Sequence, residues 1–319
     1  MEKMKILVAD SIAKEGMAEF GKHPELELVV KTGLAPDKLA TELDGCVGLV
    51  VRSATQASRE VISAGKSLKV IGRAGAGVDN IDVAAASERG ILVLNTPGGN
   101  AEAAGELAVA MMFALSRELT RADSSMKAGT WDKKSFNGCE LLGKTLGLLG
   151  IGNVGSIVGA RALALGMKVL AYDPYVSADK AASLGFTLTG LDEVIQAADF
   201  ISIHAPKTAD TKGILNAKAF ARMKKGVYVI NCARGGIVVE KDLLAALDSG
   251  IVKGAGVDVY DKEPPEDWSL AKHPRVIATP HIGASTAEAQ VNVSVMVARQ
   301  MAAYLLKGEV INAVNGGKK

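Results

Sequence analysis

Residues 145–175 read "TLGLLGIGNVGSIVGARALALGMKVLAYDPY", and the fold turns on how they are read. The opening run, 145–150, is short, apolar and unalternating, as a buried strand should be. Gly150, Gly152 and Gly155 follow in a G-x-G-x-x-G pattern, with Asn153 and Val154 between them. Residues 155–165 carry a helical pattern, and "KVLAYD" (168–173) is a second strand ending on Asp173. An acidic strand end about 20 residues beyond the glycines is the spacing of a dinucleotide site. Gly150 permits the tight turn, Gly152 lets a pyrophosphate reach the backbone, and Gly155 lets the helix pack close to its strand. The helix N-terminus then offers N–H groups and a partial positive charge to the phosphates. A carboxylate at Asp173 would accept the adenine-ribose hydroxyls and repel a 2′-phosphate, so NAD is expected rather than NADP. The plainer alternative is a tight turn with a solvent-facing aspartate. A second glycine cluster, "GRAGAGVDN" (72–80), lacks the third glycine and the distant acidic strand end.

The same alternation extends in both directions. Apolar runs at 5–9, 26–30, 47–51, 69–73 and 91–95 form one series. Runs at 145–150, 168–173, 200–204, 227–231, 254–259 and 276–280 form another. Helical patterns lie between them, including 101–120, 155–165, 191–197, 217–223 and 240–248. Short apolar strands separated by helices predict parallel sheets covered on both faces. The expectation is therefore an α/β protein of two doubly wound parallel-sheet lobes. "TPGGN" (96–100) breaks the chain between the series, and Asn100 can cap the long helix that follows. A last helix, 285–307, with Ser285 as a candidate cap, can return to the first lobe. This predicts a discontinuous domain, 1–97 with 285–319, and an inserted one, 98–284.

Composition narrows the partners. The 319 residues are 48% hydrophobic, and 37 basic against 35 acidic residues give a net charge of +2. Nothing in that balance calls for nucleic acid or a membrane surface. Cys46, Cys139 and Cys232 are odd in number and far apart, so they form neither a disulfide framework nor a metal-ligand pattern. A reducing cytoplasm suits them. The N-terminus has no signal-peptide core.

Ligands of open parallel sheets bind beyond the carboxyl ends of the strands. After the glycine turn those ends carry His204, Arg234, Asp258, Glu263 and His281. Together they can supply a proton carrier, a cation to orient an acid and a carboxylate to tune the carrier. His23 and His273 each precede a proline in a polar turn and read as surface residues. His204 reads as a pocket wall. His281, with Glu263 available, reads as the proton carrier.

These residues sit in motifs that resemble the D-isomer-specific 2-hydroxyacid dehydrogenase family. The motifs are "VVRSAT" (50–55), "VIGRAGAGVDNID" (70–82), "GNAEAAGELA" (99–108), "GLLGIGNVG" (147–155), "INCARGG" (230–236), "GVDVYDKEPP" (256–265), "TPHIGAST" (279–286) and "NAVN" (312–315). The resemblance runs from about Met4 to Asn315. It implies an NAD-binding Rossmann domain inserted in a flavodoxin-like substrate domain. It assigns Arg234 to the substrate carboxylate and C2 oxygen, His281 to the C2 hydroxyl proton, and Glu263 to the imidazole. Gly235 and Gly236 would keep the turn slim beside the nicotinamide. Asp258 matches the position that meets the nicotinamide amide. His204, Ala205, Cys232, Ala233 and Gly283 match the cofactor wall. Arg52, Ser53, Arg73 and Asn100 match substrate positions. Lys133 and Lys134, in "WDKKSFNG" (131–138), resemble a basic loop that reaches a phosphate from a partner subunit. Two departures stand out: lysines replace the usual arginine of that loop, and Asn153 replaces an arginine beside the glycines.

By that resemblance the reaction is reversible hydride transfer between NAD and a phosphorylated D-2-hydroxy acid. The favoured pair is 3-phospho-D-glycerate and 3-phosphohydroxypyruvate, at the entry to serine biosynthesis. The expected assembly is a homodimer or a dimer of dimers, with no metal. A chain ending just after "NAVN" leaves no room for a C-terminal regulatory domain, so feedback through one is not expected. A glyoxylate, hydroxypyruvate or D-lactate reductase would share the same chemistry. An NAD-sensing corepressor-like protein is the alternative of another class.

Overall fold

Two parallel sheets organise the computed structural model, which describes residues 3–316. The chain divides into two compact units. The first holds the described residues up to Ala101 and from Ala284 onward; the second is Glu102–Gly283. Among the described residues, the first unit contains β1 (Met4–Val8), β2 (Leu26–Val30), β3 (Cys46–Val51), β4 (Val70–Arg73) and β5 (Leu92–Leu94). Their order is β2-β1-β3-β4-β5, all parallel, which is the flavodoxin-like winding. The second contains β6 (Thr145–Leu149), β7 (Lys168–Tyr172), β8 (Thr187–Leu188), β9 (Phe200–Ile203), β10 (Val227–Asn231), β11 (Val252–Val257) and β12 (Val276–Ala278). Their order is β12-β11-β10-β9-β6-β7-β8. The winding reverses between β6 and β9, and such a reversal opens a crevice at the carboxyl ends of the strands.

The strands lack polar alternation because both faces of each sheet are covered. In the first unit Leu7, Leu49, Val51 and Ile71 enter one core, while Ile6, Val8, Val50 and Val70 enter the other. The C-terminal helix, Ala287–Lys307, supplies Val293, Val297 and Met301 to the second of these cores. Gly72 of β4 allows that approach, since a Cβ there would overlap the Met301 side chain. In the second unit Leu149, Ile201, Ile203 and Val229 face one side, and Leu146, Leu148, Phe200 and Ile230 the other. Phe200 stacks on Tyr228 of the adjacent strand, with ring centroids 4.7 Å apart. No helix among the described residues is long and apolar enough to cross a membrane.

Several element boundaries differ from the sequence expectation. The helix expected over 101–120 stops at Ser116, and a second helix runs Leu119–Lys127. The cause is tertiary. The Ser116 carbonyl accepts the Cys139 N–H at 2.8 Å, and Glu118 turns left-handed at φ 51°. Gly138 packs so closely on that carbonyl that a Cβ would overlap it. The helix after the glycine turn begins at Asn153 rather than 155. The helix expected over 217–223 is one turn, Ala217–Phe220, capped by Asn216. The last helix is capped by Thr286, not Ser285: the Thr286 hydroxyl accepts the Ala289 N–H at 3.1 Å.

Candidate active site

The glycine turn joins β6 to the helix Asn153–Ala164. Gly150 has φ +92°, a conformation that a side chain would strain. A Cβ on Gly155 would overlap the Gly150 carbonyl, so only glycine lets this helix close on its strand. A Cβ on Gly152 would meet nothing within 4 Å. The backbone there is open, and no side chain caps the helix N-terminus behind it. An open backbone, orphan N–H groups and the positive end of a helix dipole fit a pyrophosphate. Asp173, at the end of β7, is partly exposed. One of its oxygens accepts the Ile151 N–H and the other the Tyr175 N–H, each at 2.9 Å. The carboxylate therefore ties the second strand to the glycine turn and keeps further lone pairs for ribose hydroxyls.

His204 closes the underside of this turn, its N–H donating to the Leu149 carbonyl at 2.8 Å. Its Nε2 lies 2.8 Å from the Ser202 hydroxyl. The residue keeps some accessible surface, yet its ring is enclosed. Burial pushes its pKa down to about 3. It is therefore neutral at physiological pH, which makes it a poor carrier of a proton by way of the imidazolium.

The Arg234 turn leaves β10 through Asn231, which is 3% exposed. The Asn231 side chain accepts the Ala233 N–H at 3.1 Å and donates to the Arg234 carbonyl at 3.0 Å. Arg234 itself donates to the Ala233 carbonyl at 2.6 Å. Gly235 and Gly236 have protein neighbours. A Cβ on Gly235 would overlap the Tyr260 carbonyl, and Gly236, at φ +78°, lies against Asp261 and Lys207. The close approach that these glycines permit is thus made by the segment after β11. That segment carries Glu263.

Glu263 and His281 meet directly, with Oε2 2.6 Å from Nδ1. The other carboxylate oxygen accepts the Tyr260 N–H at 3.0 Å. Burial pushes the Glu263 carboxyl up. The hydrogen bonds from His281 and the Tyr260 N–H, with the charges of His281 and Arg234, outweigh burial and hold it below the usual range. An ionised Glu263 selects the Nδ1–H tautomer of His281 and leaves Nε2 as the proton-accepting atom. Both side chains remain partly exposed, at 44% for His281 and 37% for Glu263.

Asp258 builds the loop that carries His281. It is 1% exposed. One of its oxygens accepts the Thr279 hydroxyl at 2.6 Å and the Ile282 N–H at 2.8 Å; the other accepts the Gly283 N–H at 2.8 Å. Its backbone carbonyl accepts the His281 N–H at 2.9 Å. His281 sits at φ +53°, and this wrap holds it there. Cys232 places its sulfur 3.6 Å from Met111, and burial, aided by the Asp258 charge, pushes its thiol up. That environment favours the protonated thiol over the thiolate.

The second unit thus gathers Cys232, Ala233, Arg234, Asp258, Glu263, His281 and Gly283 beyond β10–β12, with His204 and Ala205 following β9. Asn231 and Thr279, which hold two of these turns, were not expected from sequence. The signal for Asn231 is a polar residue closing a fully buried strand. Lys133 and Lys134 lie in a one-turn helix capped by Asp132, beside Trp131, which is 80% exposed. The first unit presents its own group. Arg73 pairs in register with Val51, so Arg52 and Arg73 leave adjacent strand ends. Ser53 is exposed, and Asn100 immediately precedes the helix Ala101–Ser116.

A doubly wound domain with this glycine turn, and an acid–base pair beyond its strands, defines a nicotinamide-dependent dehydrogenase class. Residues 109–283 match the D-isomer specific 2-hydroxyacid dehydrogenase, NAD binding domain, and the chain belongs to that family. It is 47% identical to the D-3-phosphoglycerate dehydrogenase of Rattus norvegicus, over 97% of this chain and 58% of that protein. The Archaeoglobus fulgidus protein of the same name is 47% identical over 98% of this chain and 59% of its own length. The chain therefore spans under two-thirds of these curated relatives. A glyoxylate reductase structure from Paecilomyes thermophila is 31% identical, covers 100% of both chains and superposes with a TM-score of 0.90.

Proposed function

We propose that this chain catalyses reversible, NAD-dependent oxidation of 3-phospho-D-glycerate to 3-phosphohydroxypyruvate, the entry to serine biosynthesis. The observation that carries this reading is 47% identity, along nearly the whole chain, to relatives named D-3-phosphoglycerate dehydrogenase. Gly150, Gly152, Gly155 and Asp173 would hold NAD, which would supply the acceptor for the C2 hydride. Arg234 grips the substrate carboxylate, for which a guanidinium fork is better shaped than an ammonium. His281 Nε2 takes the C2 hydroxyl proton during oxidation and returns it during reduction. Glu263 steadies the imidazolium formed in between. Arg52, Ser53, Arg73 and Asn100 take the phosphate end, with Lys133 and Lys134 supplied by a partner subunit.

The glyoxylate reductase likeness favours a second reading, reduction of a small unphosphorylated 2-oxo acid with the same acid–base pair. Turnover of NADH with phosphohydroxypyruvate, hydroxypyruvate, glyoxylate and pyruvate separates the two. A clear kcat/KM preference for the phosphorylated acid supports the main reading, and the opposite order promotes the reductase. We infer a homodimer, since Phe113, Leu119, Met126 and Trp131 leave apolar surface exposed along one segment. Sedimentation velocity tests it. Three free cysteines favour a cytoplasmic setting.

A further inference from the structure

We propose that Asp10 and Asn80 are positioning residues that set selectivity for the phosphorylated acid, by fixing the Arg52–Thr55 loop from two sides. The inference rests on the proposed function. Asp10 follows β1 and is 6% exposed, unusual for a carboxylate that no cation among the described residues contacts. What it holds is the loop after β3. One oxygen accepts the Arg52 N–H at 2.5 Å and the Thr55 N–H at 3.2 Å, and the other accepts the Thr55 hydroxyl at 2.7 Å. The next carbonyl, Ser11, accepts from the Arg52 guanidinium at 3.3 Å. The β1 end therefore holds both the backbone and the side chain of Arg52.

Asn80 closes the other side. Its amide donates to the Arg52 carbonyl at 2.7 Å and to the Thr55 carbonyl at 2.6 Å, which uses both amide hydrogens. The Asn80 backbone carbonyl accepts the Ala57 N–H at 2.9 Å. A four-residue loop is thus fixed at both ends, with Thr55 buried and Ser53 and Ala54 facing outward. Asp10 is buried, and both amide hydrogens of Asn80 are spent on the loop. Each acts through the loop, and a rigid loop holds Arg52 and Ser53 without an ordering cost when a phosphate arrives.

The substitutions Asp10→Asn and Asn80→Asp test this with shape conserved. The first puts an amide N–H against a backbone or hydroxyl donor. The second removes both donors and sets a carboxylate against two carbonyls. Thr55→Val is the gentler third variant, removing one hydroxyl bond from the same frame. The readout is the ratio of kcat/KM for phosphohydroxypyruvate to that for hydroxypyruvate, with KM and kcat resolved for each. A misplaced binding group commonly costs on the order of 10–100-fold. The ratio should fall about tenfold or more in the two frame variants and less in Thr55→Val, through KM for the phosphorylated acid. Wild-type far-ultraviolet circular dichroism together with retained turnover of hydroxypyruvate shows that the first unit of a variant is folded. If Asp10→Asn does not fold, Thr55→Val decides. Equal losses on both substrates, or an unchanged ratio, would overturn the inference while leaving the functional assignment standing. A wild-type ratio near one would remove both.

Discussion

His281 and His204 show how environment separates two residues of one type. His204 is enclosed and pushed down to about 3, whereas His281 is partly exposed and held against an ionised carboxylate. In the proposed reaction oxidation uses the neutral imidazole and reduction the imidazolium, so the oxidation rate should rise with pH and the reduction rate fall. Burial alone would raise the Glu263 carboxyl, but its partners hold it down, so it stays charged at neutral pH. Glu263→Gln removes the charge that favours the imidazolium. Turnover should fall in both directions, which kcat measured in each direction reads. His281→Gln should cost about 10²–10⁴-fold in both directions with NAD binding intact. His204→Gln should leave the profile midpoints in place, and a shift would return His204 to the mechanism. Asp173→Ala should raise Kd for NAD by about tenfold or more and narrow the gap to NADP. Part of that loss is structural, because Asp173 also holds the Ile151 N–H. Equal use of both cofactors by the unmutated protein would contradict the reading of Asp173. The charged candidates were legible because arginine, histidine and carboxylate at strand ends have few structural excuses. Asn231, Thr279, Asp10 and Asn80 were not. Their bonds run mostly to backbone atoms, and a sequence does not say which backbone will pass by.

Turns and helix ends depend on neighbours distant in sequence. The strands were readable because burial on two faces leaves one unbroken apolar run for each. β8, at two residues, has no period to read, and several helices of the first unit are six or seven residues long. The break after Ser116 comes from Gly138 and Cys139, more than twenty positions along the chain. The Gly235 turn is the sharper case. Its sequence suggested a slim wall beside a nicotinamide, and the structure puts the Tyr260 carbonyl against it. A backbone carbonyl cannot swing away as a side chain can. Gly235→Ala should therefore drive apart the turn holding Arg234 and the segment holding Glu263. The expected outcome is a kcat/KM loss of about 10²-fold, with about 1–3 kcal/mol lost from stability as in other overpacked sites. Steady-state kinetics and urea titration measure the two effects. Near-normal kcat/KM would mean that the two segments need not be in register.

The discontinuous first unit makes the chain's last helix a structural test of the whole molecule. Alternating strand and helix patterns were enough to read two parallel sheets, whereas the order of the strands comes from the structure. What the alternation cannot carry is the docking of residues 287–307 onto β4, because that depends on Gly72 meeting Met301 and on Gly16 meeting Ser294. Val293, Val297 and Met301 pack with Ile6, Val8, Val50 and Val70 in one core. Large apolar side chains contribute about 1.5–3 kcal/mol each when buried. Losing three removes a share comparable with the whole stability of an ordinary domain, about 5–15 kcal/mol. A chain ending at Gly283 should therefore leave the first sheet without one of its covering faces, while every strand of the second sheet remains. We expect turnover to vanish and NADH binding to survive, with loss of part of the far-ultraviolet circular dichroism and gain of dye-binding apolar surface. NADH fluorescence titration of the truncated chain decides the matter. Loss of binding along with turnover would show that the two units do not fold independently, and the proposed domain division would fail.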